Sequence, residues 1–178
     1  MQNISDIFID NLYGIVQKGI NDDVRNQARL CLIDYVACAI GGSKLMEKEN
    51  HNFFDIVVQQ GGNVSVIGSD KKTTLHNAVY LQAMNVHATE LDDGHRLGMI
   101  HLGASILSAL LPVAEVESLT FDDVLLGVVI GYEAAIRTAM QVIPGIELFG
   151  VPVGVICLDD GRKCSMAYQI IDKLRTQW

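Results

Sequence analysis

Apolar positions recur at helical spacing through most of this chain, and short glycine, asparagine and aspartate stretches break the pattern into segments. The first predicted helix covers residues 3–18, with Ile4, Ile7, Phe8, Leu12, Ile15 and Val16 on one face and Gly19 as its stop. Asn21-Asp22-Asp23 offers an N-cap for a second helix over about 24–40, where Ala28, Cys31, Leu32, Tyr35, Val36 and Ala39 keep the spacing and Gly41-Gly42 reads as the end. A third helix is expected over about 44–60, closing on Gly61-Gly62. Val64 to Gly68 alternates, as a short strand would, but is too short to build a sheet alone. Thr73 or Thr74 caps a fourth helix over about 75–91. A fifth starts between His101 and Ala104 and runs to about Val116, with Gly103, Ala104, Ser105, Ser108 and Ala109 small enough to admit a neighbouring helix. Thr120-Phe121-Asp122-Asp123 resembles a capping box for a sixth helix to about Met140, which carries Gly127 and Gly131 and is terminated by Pro144-Gly145. Beyond it the pattern changes: 146–158 is β-like, Asp159-Asp160-Gly161 is a turn, and 162–175 can form one more helix. The fold class expected is all-α, a multi-helix bundle over residues 1–144 with an irregular or β-like tail over 145–178.

Composition sharpens this reading. Of the 178 residues, 49% are hydrophobic, and the mean hydropathy is +0.27. Both are high for a monomer of this size and call for a subunit interface or docking onto further protein. No apolar run reaches the roughly 18 residues that span a bilayer, because Glu115, Glu117, Asp122 and Asp123 interrupt the longest candidates. Residues 1–6 lack the charged and apolar regions of a signal peptide. Cys31, Cys38, Cys157 and Cys164 show no CxxC spacing, so reduced thiols in the cytoplasm are expected. A net charge of -8 argues against nucleic acid or an anionic membrane as partner.

The titratable groups gather in one stretch, His87-Ala88-Thr89-Glu90-Leu91-Asp92-Asp93-Gly94-His95-Arg96, followed by His101. Taken singly, each acid reads as a cap or a solvated turn residue, and Asp92-Asp93-Gly94 is a good turn by itself. Together they place the C-terminus of one helix against the N-terminus of the next, where backbone N–H groups and the helix dipole favour an anion. His87 and Glu90 are three apart and share a face. His95 and Arg96 add donors, and arginine pairs a substrate carboxylate through two parallel hydrogen bonds. Histidine as a residue type moves protons near neutral pH. The set suits proton abstraction beside a carboxylate, or β-elimination from a hydroxy acid. Zn or Mn is the rival use of the same acids and histidines, although the spacing matches no HxxxH or HExxH set. Ser105 and Ser108 lack the GxSxG turn of a nucleophile, and no phosphate-binding glycine loop is present.

At these residues the chain resembles the N-terminal part of the MmgE/PrpD family, which includes 2-methylcitrate dehydratase, cis-aconitate decarboxylase and iminodisuccinate epimerase. The likeness runs through Ala28 to Gly42, Val66-Ile67-Gly68, Asn77-Ala78, Asn85 to His95, His101 to Ala104, and Gly131-Tyr132-Glu133-Ala134-Ala135-Ile136-Arg137. It covers about residues 5–144. Gly94 stands where many members have threonine, and Leu102 where proline is usual. The resemblance implies an all-α domain, a homodimer or other homo-oligomer, and acid–base chemistry on a small di- or tricarboxylate without metal or other cofactor. Carried over by position, it makes Glu90, Asp93 and His101 the catalytic candidates; His87, His95 and Arg96 are the substrate-binding candidates from the residue chemistry above. Further site residues are expected downstream of what this chain matches. Two classes of function follow: a lyase (dehydration or decarboxylation, with epimerisation by the same proton abstraction as a variant), or a truncated, non-catalytic helical subunit that only oligomerises or docks a partner.

Overall fold

A computed structural model describes residues 4–57, 61–96 and 98–142. In these residues the chain forms six helices and one two-stranded ribbon: α1 (Ile4–Lys18), α2 (Asp22–Leu45), α3 (Glu47–Val57), β1 (Val64–Ser65), β2 (Lys72–Thr73), α4 (Leu75–Ala88), α5 (Gly103–Glu117) and α6 (Phe121–Val142). The all-α expectation holds. The predicted features of residues 143–178 lie outside the described residues.

Local chemistry sets most of the helix starts. Asn21 Oδ1 accepts from Val24 N at 2.9 Å, and Thr74, of the two threonines considered, accepts from Asn77 N at 3.4 Å. The capping box forms in both directions: Asp123 N donates to Thr120 Oγ1 at 3.2 Å, while Thr120 N donates to Asp123 Oδ2 at 3.0 Å. The Thr120 hydroxyl, which donates to Asp123 Oδ2 at 2.6 Å, and then the Thr120 N–H hold the Asp123 carboxyl below its usual range.

The end of α2 departs from the sequence expectation. The helix does not stop at Gly41-Gly42 but continues to Leu45. Gly42 is buried, and a Cβ there would lie 1.6 Å from the Asn85 carbonyl oxygen of α4. The glycine serves backbone contact between two helices, not chain reversal. α3 correspondingly starts later than expected, at Glu47, and α4 ends three residues before Leu91. Of the five small residues expected to admit a neighbouring helix, Gly103, Ala104 and Ser108 are buried, while Ser105 and Ala109 face outward.

α4 packs against both α2 and α5. α6 closes the bundle against α2 and α5, and α1 lies on α6. The main core joins Leu32, Tyr35 and Cys38 of α2 to Val86 of α4, Leu107 of α5, and Leu125, Val128 and Tyr132 of α6. A smaller core of Phe54, Val64, Val66, Ala78 and Leu81 sits under the ribbon. The alternating segment pairs antiparallel, Val64 with Thr73 and Ser65 with Lys72. Glu115 of α5 anchors it by accepting from Ser65 N and Ser65 Oγ, each at 2.9 Å. No described helix is long and apolar enough to cross a membrane.

A buried polar contact crosses the main core. Tyr35 Oη lies 2.8 Å from Ser108 Oγ and donates to Gln82 Oε1 at 3.3 Å, and burial pushes the phenol up to about 12. Tyr35→Phe leaves both partners buried without this hydroxyl, so a loss of about 1–3 kcal/mol is expected in urea denaturation. An unchanged midpoint would show that the contact contributes nothing net.

Candidate active site at the junction of α4 and α5

The charged corner begins where α4 runs out. Thr89 Oγ1 donates to the Val86 carbonyl at 3.0 Å, and Glu90 N donates to the His87 carbonyl at 3.0 Å. Glu90 itself takes a left-handed conformation, φ 52°, which costs a non-glycine residue about 1–2 kcal/mol. Its carboxylate is exposed and lies 3.7 Å from His87 Nε2. The loop then folds back on itself, with His95 N donating to the Ile100 carbonyl at 2.8 Å. That bridge brings His101 round to face the end of α4.

Two adjacent acids of the loop point in different directions. Asp93 turns to the start of α5: Oδ1 accepts from Gly103 N at 2.7 Å, and Oδ2 accepts from Tyr132 Oη of α6 at 2.6 Å. Leu102, the residue before α5, makes no side-chain cap, so Asp93 supplies one from ten residues upstream. The anion favoured at this helix N-terminus is therefore the chain's own carboxylate. Gly103 permits the approach, since a Cβ there would sit 2.9 Å from Asp93 Oδ1. Burial, then the bond to Asp93, raises the Tyr132 phenol far above its usual range, which keeps it a donor.

Asp92 turns the other way. Its side chain is 1% exposed, with Oδ1 3.6 Å from His87 Nδ1 and Oδ2 3.3 Å from His101 Nδ1. Neither oxygen makes a hydrogen bond. The two rings meet edge to face, with centroids 5.5 Å apart. Both are about half exposed, 53% for His87 and 47% for His101. A buried carboxylate thus stands behind two accessible imidazoles.

The remaining candidates fall apart from this group. His95 is buried, and its Nδ1 accepts from Gly98 N at 2.9 Å. Burial lowers its pKa, so the ring is held neutral. Arg96 is exposed on the rim. The structure therefore gathers His87, Glu90 and His101, sets Asp93 and His95 into the loop's own scaffold, and adds Asp92. Sequence reasoning singled out Asp93 and passed over Asp92. No signal in the sequence distinguished the two neighbouring acids of the turn.

His95 makes stability depend on pH. Its folded pKa lies below the unfolded value of about 6.5. Its contribution is therefore complete above that pH and is lost as pH falls through the folded value. Thermal scans at descending pH are expected to show a falling midpoint, with a shallower fall in His95→Asn. Parallel slopes for the two chains would contradict this.

To the other side of His101 runs an apolar groove of about 640 Å³, lined by Phe8, Ile100, Leu102, Ile106, Ala135 and Thr138 among others. Large apolar side chains around the loop are also exposed, Leu91 at 76% and Met99 at 84%.

A helical bundle with a His–Asp–His group at one helix junction is the architecture this sequence builds. Residues 13–149 match the MmgE/PrpD N-terminal domain, and the chain belongs to the MmgE/PrpD family. It is similar to the cis-aconitate decarboxylase of Aspergillus terreus, 27% identical over 154 residues, which is 84% of this chain and 29% of that protein. It is also 30% identical over 122 residues to a cis-aconitate decarboxylase-like protein of Aspergillus oryzae, covering 65% of this chain and 25% of the relative. The chain thus spans less than a third of the length of these curated relatives. No solved structure matches it.

Proposed function

We propose that this chain carries one wall of an active site for lyase-type acid–base chemistry, dehydration or decarboxylation, on a small di- or tricarboxylate. The observation that carries the reading is the buried Asp92 carboxylate set behind two accessible histidines. His101 is the group that moves a proton. Asp92 orients the imidazole, as a buried carboxylate behind a catalytic histidine does. Glu90 and His87 stand 3.7 Å apart on the same rim, and in this reading they touch substrate. Arg96 is the exposed guanidinium available to a substrate carboxylate. Asp93 and His95 act as positioning residues, the first holding α5 and Tyr132, the second closing the loop. The similarity to cis-aconitate decarboxylases supports an unsaturated or hydroxylated polycarboxylate as substrate class.

The exposed apolar side chains and the groove beside His101 support a second reading, in which the chain is a helical subunit that only oligomerises or docks a partner. Both readings expect a homo-oligomer or a partner to cover this surface. An assay of the purified chain on cis-aconitate, citrate and 2-methylcitrate, following carbon dioxide release, water loss and α-proton exchange, separates them. Turnover that vanishes in His101→Ala supports the lyase and removes the subunit-only reading. No turnover from a folded, oligomeric chain removes the lyase reading for this chain by itself.

A further inference from the structure

We propose that His87, Asp92 and His101 form a binding site for a divalent transition metal of the Zn2+ class, and that the ion inhibits the chemistry assigned to His101. The three residues offer one ligand atom each, all within 4.8 Å of one another. Tetrahedral ligands about 2 Å from a metal lie about 3.3 Å apart. The His101 Nδ1 to Asp92 Oδ2 separation is 3.3 Å, and the His87 Nδ1 to Asp92 Oδ1 separation is 3.6 Å. The two distances run to different carboxylate oxygens, so one edge of a three-atom coordination face, His101 Nδ1 to Asp92 Oδ2, is near its final length, while the full set of ligand atoms lies within 4.8 Å.

Asp92 is the independent sign that this corner takes a cation. A carboxylate with a side chain 1% exposed and no hydrogen bond to either oxygen has only two half-exposed imidazoles to answer its charge. Buried polar groups ordinarily find partners, and a buried charge is ordinarily paired or bound to metal. Glu90, 3.7 Å from His87, adds negative charge at the mouth. Two imidazoles with one carboxylate select zinc-like ions over Mg2+ or Ca2+, which prefer all-oxygen shells. The backbone that carries the set is held in place on both sides. The His95–Ile100 bridge closes the loop, and Asp93 is fixed to Gly103 and Tyr132. Three protein ligands leave a fourth position open to water. An ion held there occupies His101 Nδ1 and draws on the Asp92 carboxylate, so the imidazole cannot be oriented for proton transfer. That inhibitory consequence rests on the role proposed for His101; the metal site itself does not.

The test is titration of the purified full chain with Co2+, read by visible absorption and calorimetry without substrate. The expected result is one equivalent bound with the intense d–d bands of a four- or five-coordinate ion, displaced by Zn2+ and free of thiolate charge transfer. Asp92→Asn and His101→Ala should each weaken binding roughly tenfold or more, since even an outer-shell partner costs that much. Far-UV circular dichroism confirms that each variant is folded. Should Asp92→Asn not fold, the exposed His87→Ala gives the same reading. No binding, octahedral spectra, thiolate bands, or equal affinity in the folded variants would overturn the site. Turnover of a polycarboxylate in a chain that binds no metal overturns this inference alone. Metal binding in a chain without turnover overturns the lyase reading and leaves the site standing. Activity unchanged at a Zn2+ concentration that saturates the site overturns the inhibition.

Discussion

On the lyase reading proposed above, His101→Ala is expected to lower turnover of a polycarboxylate by roughly 10²–10⁴-fold, the range attributed to a positioned general acid or base. The substitution should leave the fold intact. His101 is half exposed and lies just before α5, whose first turn is capped by Asp93 and not by the imidazole. Loss of rate with unchanged circular dichroism and thermal midpoint would therefore report chemistry. Added imidazole should restore part of the rate, because a small base can enter the space the side chain leaves. Rescue is the discriminating measurement, since a structural defect would not respond to it. A variant that retains more than about a tenth of the parental rate would contradict the assignment of the proton to His101.

Gly42→Ala is expected to be the most damaging small substitution in the described residues. A glycine within a helix ordinarily costs about 1 kcal/mol relative to alanine, so the exchange should stabilise on propensity alone. At Gly42 the new methyl would lie 1.6 Å from the Asn85 carbonyl oxygen and 2.5 Å from its carbon. Neither atom belongs to a flexible side chain, so α2 and α4 must move apart. Overpacking of this kind typically costs 1–3 kcal/mol and can cost more; here about 3 kcal/mol or above is expected, outweighing the propensity gain. Gly14→Ala is the control. Gly14 lies in α1 with open space where its Cβ would be, so that exchange should stabilise by up to about 1 kcal/mol. Chemical denaturation of both chains checks the pair. Equal effects would show that helix propensity, not the contact between α2 and α4, governs the site.

Gly42 also shows where sequence reading fell short. A glycine pair after an apolar helix has the same appearance whether it reverses the chain or admits a neighbour's backbone. Only the position of Asn85, more than forty residues on, distinguishes the two. The caps were legible because they are local: Asn21, Thr74 and the Thr120–Asp123 box act on N–H groups within three residues. Helical spacing likewise placed much of the buried face of α2, where Ala28, Leu32, Tyr35 and Ala39 are buried, since residues three and four apart share a face by geometry alone.

The candidate site divides along the same line. Its residue types, its location between α4 and α5, and the approach of His101 to the acidic turn were all determined by the sequence, because the turn is short and both helices are local structures. The roles of the two adjacent aspartates were decided only by the tertiary structure. Asp93 is claimed by Gly103 and by Tyr132, thirty-nine residues away on α6. Asp92 is left to face His87 and His101 because its neighbour is already held. A pair of identical side chains in a turn carries no information about which will be claimed. The partner that breaks the symmetry lies on another helix, and folding brings it there.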